Sequence, residues 1–194
     1  MIRLARLTLL AALIALAAPV HAQDNTPEKS PSAGATWTYG PHPLWGVSAF
    51  VTVGGESVGV RCLPDRGFAH PAAALVLTSG LVRPHPAFAA NEAVERFRFL
   101  GEPAMGEGMI TRTPGGYFER MGSTCEVNLD SFRTARALLF YDESIDAMAL
   151  DDETAETAPG LIARIPLDGA RAAIEKLVRA CPAIRKDIQN GCGI

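Results

Sequence analysis

Lysine is nearly missing from this sequence: Lys29, Lys176 and Lys186 stand against fifteen arginines and 21 acids. The formal net charge is −3, and the arginines are scattered rather than clustered. A mildly acidic chain without a basic cluster lacks the counterion-releasing surface that nucleic acid or an anionic membrane demands, so neither partner is expected. Reactive signatures are missing too. The chain has no Gly-x-Ser-x-Gly, no Ser-x-x-Lys and no His-Glu-x-x-His, the patterns that place a nucleophile or a metal beside its base. There is no Cys-x-x-Cys, which argues against a redox pair. Beyond the first 22 residues His42, His70 and His85 each touch a proline, whereas metal-binding pairs sit at fixed short spacings on a regular element. No catalytic residue, cofactor or metal is therefore expected, and the protein is read as a non-enzyme.

Long apolar runs are also scarce. Arg3 and Arg6 precede an apolar core at residues 7–18 and a small-x-small site at Val20-His21-Ala22. This is the layout of a signal peptide, with cleavage expected between Ala22 and Gln23. The core is shorter than the roughly 20 apolar residues that span a bilayer. Loss of Arg3 and Arg6 moves the formal charge from −3 to −5. The expected organisation is a signal peptide (1–22), a disordered leader (23–35) rich in Pro, Ser and Gly, and a single domain (36–194), periplasmic or secreted, with no integral membrane segment.

Four cysteines remain in that domain, Cys62, Cys125, Cys181 and Cys192, an even number suited to an oxidising compartment. Three pairings are possible. The short spacing from Cys181 to Cys192 across Pro182 favours a local Cys181–Cys192 bridge, with Cys62–Cys125 following by exclusion.

The clearest periodic segment lies near the end. Residues 161–165 are strand-like, after which Ala170, Ala173, Ile174, Leu177, Val178 and Cys181 fall on one helical stripe. Asp168 is expected as the helix N-cap and Pro182 as the stop. An echo, Leu-Asp-x-x-Arg-x-Ala, occurs at residues 129–135 and 167–173, which predicts two strand-to-helix units with Asp130 and Asp168 as caps. Upstream, two β-rich runs flank Gly54-Gly55 as a hairpin, residues 72–78 read as a central strand, Arg96-Phe97-Arg98-Phe99 alternates, and Pro114-Gly115-Gly116 marks a second hairpin. Residues 124–129 and 137–141 read as further short strands. The fold class is α+β: a largely antiparallel, β-rich domain with two or three helices in the C-terminal half, stapled by disulfides.

Residues 142–156 carry seven acids and no base, so they are expected on the surface, with Asp151, Asp152 and Glu153 as a possible partner loop. Trp37, Tyr39 and Trp45 form either an aromatic recognition patch or, more in keeping with a small β-rich domain, part of the core. A tryptophan near the mature start, a strand ending in Cys62, Cys125 before a short helix, and Ile165-Pro-Leu-Asp-Gly-Ala before an Ala/Leu helix resemble the invasion-associated locus B proteins. Asp168 stands where that pattern carries a small hydroxyl residue. The resemblance implies a small β-rich protein of the alphaproteobacterial envelope or host contact, and no chemistry for particular residues. The leading expectation is a non-enzymatic binding or envelope-associated protein with a protein partner. The alternatives are an inhibitor or immunity-type protein that offers its acidic loop to a hydrolase, and an enzyme assembled from scattered residues such as Glu119, Arg120 and Glu126.

Overall fold

The computed structural model describes residues 35–67, 70–84, 89–103, 105–142, 146–147 and 149–192. The expected cleavage point at Ala22 and Gln23, the leader up to residue 34, and His85 lie outside them.

The first hairpin is made by two glycines. Strands β2 (Gly46–Val53) and β3 (Glu56–Cys62) meet at Gly54 and Gly55, with φ +59° and +86°, the turn whose twist matches that of the flanking strands. Strand β1 (Thr38–His42) pairs the other side of β2. Strand β4 (Ala73–Leu77) is buried at all five positions, as a continuous apolar run in mid-sheet must be. Strand β5 (Arg83–Pro84) is a short partner of β6 (Glu92–Leu100), which is followed by β7 (Met105–Arg112), β8 (Phe118–Gly122), β9 (Ala137–Tyr141) and β10 (Leu161–Pro166). They form one sheet in the order β1-β2-β3-β4-β8-β7-β6-β9-β10, with antiparallel pairing throughout.

Among the described residues the α-helices all follow residue 130, and they number four rather than the two or three expected: α1 (Ser131–Thr134), α2 (Asp152–Ala155), α3 (Ala170–Ala180) and α4 (Pro182–Gln189). The mixed α+β character is as expected. Ala170, Ala173, Ile174, Leu177 and Cys181 of the α3 stripe are buried with Val58, Val60, Leu75, Phe97, Phe99 and Phe140 of the sheet. At roughly 1.5–3 kcal/mol for each large side chain removed from water, this interior is the main stabilising term. Helix α3 continues from β10, one end of the sheet, yet packs on β1 and β2, the other end. Trp37 fastens those ends together: its backbone N–H donates to the Asp168 carbonyl (3.1 Å) and its indole N–H to the Pro166 carbonyl (2.9 Å). Trp37 and Trp45 are each 4% exposed and lie in separate clusters, Trp37 inside under α3 and Trp45 against Ala74, Val76 and Tyr117 on the other face.

Three sequence expectations are corrected. The disulfides are Cys62–Cys181 and Cys125–Cys192, with Cα–Cα distances of 5.7 and 5.4 Å, not the Cys181–Cys192 and Cys62–Cys125 pairs. Eight residues of α4 rise about 12 Å and carry Cys192 away from Cys181. Cys181 is fully buried on the stripe, facing the end of β3 where Cys62 stands. Residues 124–129 form turns rather than a strand: Val127 N–H donates to Ser123 O and Leu129 N–H to Thr124 O, while Asn128 takes φ +54°. Val127 and Leu129 are buried all the same, so their alternation reported burial and not a strand.

The caps differ as well. Asp168 is not the α3 N-cap; Gly169 holds that place at φ +79°, and Asp168 serves Trp37 through its carbonyl. Asp130 does stand before α1, but in helical conformation and without a capping bond, its carboxylate lying 3.4 Å from Arg133. The two Leu-Asp-x-x-Arg-x-Ala copies are thus a turn into one helical turn and a strand into a three-turn helix.

Candidate functional site

A cleft of about 560 Å³ opens between the β3–β4 loop, the turn after β8, and α4. Each wall is set by short-range chemistry. In the loop, the Asp65 carboxylate accepts the Gly67 N–H at 3.1 Å, a turn that this residue type closes by itself. In the turn, Glu126 Oε2 accepts the Ser123 N–H (2.6 Å) and Ser123 Oγ accepts the Glu126 N–H (3.2 Å), the reciprocal arrangement of a capping box. Helix α4 supplies Ala183, Lys186, Asp187 and Asn190 to the third wall.

Cross-links hold these walls apart at a defined width. Asp187 Oδ2 accepts from both the backbone N–H (2.6 Å) and the hydroxyl (2.7 Å) of Thr124, which is itself buried. Lys186 Nζ pairs with Asp65 across the mouth, and that bond holds the Asp65 carboxyl below the usual range. The two disulfides sit at the ends of the same helix: Cys181 caps α4 and Cys192 follows it. Arg66 and His70 also line the cleft. Ser123 and His70 share the lining, but the serine hydroxyl bonds the Glu126 backbone and not an imidazole. The arrangement is a braced recess of mixed polar and apolar lining.

The residues named for an enzymatic reading do not come together. Glu119 lies with Arg61 on the Trp45 face of the sheet, at 2.6 Å. Arg120, the next residue, points to the opposite face and meets Glu95. Glu126 is in the cleft. Among the described residues no group of three or more His, Cys, Asp or Glu side chains is placed to hold a metal ion.

The acidic segment lies against the sheet where it is described. Asp151 caps α2, its carboxylate accepting the Thr154 N–H (2.8 Å) and hydroxyl (2.7 Å), and these bonds, the hydroxyl foremost, hold its carboxyl low. Asp152 reaches Arg98 (3.2 Å) and Arg136 (3.3 Å), and Glu156 reaches Arg164 (2.7 Å). Tyr141 donates to the Ala155 carbonyl (2.8 Å), and burial pushes its phenol up to about 12. Glu153 is exposed. The bases missing from the segment are supplied by β6, β10 and the residue before β9.

The cleft was not legible in the sequence, because its walls come from residues 64–67, 70–72, 121–126 and 183–190. The one local signal was Ser123 with Glu126 at capping-box spacing. Comparison with protein-family models, with curated proteins and with solved structures finds no match. The class defined is a disulfide-bonded, antiparallel α+β protein. No helix of the described residues is long and apolar enough to cross a membrane.

Proposed function

We propose that this is a non-enzymatic binding protein of the periplasm or the extracellular side, and that the cleft beside α4 receives its ligand, an exposed segment of an envelope protein. The observation that carries the reading is the bracing: a recess of about 560 Å³ whose walls are joined by the Asp187–Thr124 bonds, the Lys186–Asp65 pair and the Cys125–Cys192 bridge. A preformed wall loses little freedom when a partner docks, so more of the contact energy appears as affinity. The signal-peptide pattern and the likeness to invasion-associated locus B proteins support an envelope setting.

Site-specific photo-crosslinking in the native envelope tests it. Photoreactive residues at Arg66 and Asn190, on opposite walls, are expected to capture the same partner, whereas one at Arg171 on the exposed side of α3 captures none. Adducts from Arg171 alone, or from no cleft position, would place binding elsewhere.

A further inference from the structure

The sheet is continuous in strand order but not in hydrogen bonding. Strand β7 pairs β6 from Met105↔Arg98 to Thr111↔Glu92. Among the described residues it pairs with β8 only through Thr111↔Glu119 and Arg112↔Phe118, the two pairs next to their connecting turn. Beyond these, β8 runs on with β4 as far as Gly122↔Ala73. A seam therefore separates β1-β2-β3-β4-β8 from β7-β6-β9-β10 along most of its length.

One pair of side chains crosses this seam on the interior face. Glu95 of β6 has the parity of the core residues Ala93, Phe97 and Phe99, and it is 0% exposed. Its register partner on β7 is Gly108, which leaves the space above that strand open. A Cβ there would lie 3.8 Å from Arg120 Cδ. Arg120 of β8 extends through the opening, its Nε 2.5 Å from Glu95 Oε1 and its guanidinium 5.9 Å from the Phe97 ring centre. The two groups are close but poorly aligned: both Glu95 oxygens and Arg120 Nε and Nη2 are buried without a hydrogen bond. Distance and alignment disagree here, and alignment decides the character of the contact. It is a contact that lacks the bonds needed to offset the desolvation of an ionised carboxylate.

We propose that the Glu95–Arg120 pair is a proton-operated latch on this seam: with Glu95 neutral the two parts of the sheet stay together, and loss of its proton to solvent draws water in and parts β7 from β8. The direction follows from burial. Desolvation, only partly opposed by Arg120, raises the Glu95 carboxyl from 4.5 to about 7. In an opened, hydrated seam it returns towards its ordinary value, so opening releases a proton between those limits. The closed form is thus favoured fully below about 4.5, and that advantage is lost as pH rises to about 7.

The other charged groups around Glu95 are otherwise engaged or face away. Glu107 of β7 pairs with Arg96 at 2.9 Å, and Arg96 and Arg98 alternate to the opposite face of Glu95's own strand. Arg83 of β5 is exposed opposite Val94. Asp142, just past β9, donates its backbone N–H to Gly160. Parting the seam would uncover main-chain groups of β7, an edge that an extended segment of another protein can pair with.

Hydrogen exchange of the mature protein, corrected for intrinsic rates, tests the latch. Protection of residues 108–112 and 118–121 is expected to fall about tenfold per pH unit between about 5 and 7 and then level off. Glu95→Gln should abolish that slope, and Arg120→Met should move the levelling point to higher pH. The carboxyl carbon of Glu95, followed by NMR in the unmutated protein, should titrate near neutrality whether or not the variants fold. Titration near the ordinary carboxylate value, a slope retained in Glu95→Gln, or seam amides that exchange only at the rate of the β3 core would each overturn the proposal.

Discussion

The disulfides Cys62–Cys181 and Cys125–Cys192 bracket the same eight-residue helix, yet they tie it to different kinds of surroundings. Cys181 is fully buried among core residues, and its bridge spans 119 positions from the end of β3 to the end of α3. Cys125 is exposed, and its bridge spans 67 positions from a surface turn to the residues after α4. Loop closure hardly separates them: the chain-entropy model gives about 4.9 and about 4.4 kcal/mol. What separates them is packing. Removing the first bridge unpins α3 from the sheet interior, whereas removing the second frees one wall of the cleft.

The comparison breaks most sharply at the first bridge. Cys62→Ser with Cys181→Ser should cost about 4–5 kcal/mol and place two hydroxyls at the foot of α3, read as a large fall in the urea midpoint. Cys125→Ser with Cys192→Ser should cost less, about 2–4 kcal/mol, and leave the near-ultraviolet signal of Trp37 unchanged. Under a limited amount of dithiothreitol, mass spectrometry of trapped thiols should find Cys125 and Cys192 reduced first, because Cys181 is shielded. Equal reduction of the two bridges would erase the distinction.

Smaller substitutions sharpen it. Asp187→Ala leaves the buried Thr124 N–H and hydroxyl without their charged acceptor, which should cost about 2–3 kcal/mol by chemical denaturation. Asp152→Ser loses contacts to Arg98 and Arg136 that are partly exposed, so about 1 kcal/mol or less is expected. Lys186→Ala should leave the melting temperature unchanged, since its pair with Asp65 is at the surface, while altering crosslinking from the cleft.

Much of the secondary structure was written locally. The Gly54-Gly55 turn, the alternation of residues 96–99, the apolar run of β4 and the stripe from Ala170 to Cys181 each follow from side-chain period and backbone sterics within a few residues. The same local reasoning misread residues 124–129, where Thr124 is held by Asp187, 63 positions away. It misread Asp168 too, because Gly169 offered the left-handed conformation at the helix start and Trp37, 131 residues earlier, claimed the Asp168 carbonyl. Asp152 and Glu156 had no base within their own segment because their arginines sit on β6, on β10 and just before β9.

By itself, the amino-acid order determined the α+β class, the strand and helix periods, the supply of four cysteines and the scarcity of basic clusters, all of which depend on neighbours within a turn or a strand. Only the tertiary structure decided which cysteines meet, where the cleft opens, and that Glu95 lies buried opposite Arg120. Each of those depends on how a ten-stranded sheet turns beneath α3, and such long-range proximity has no period that a one-dimensional pattern can carry.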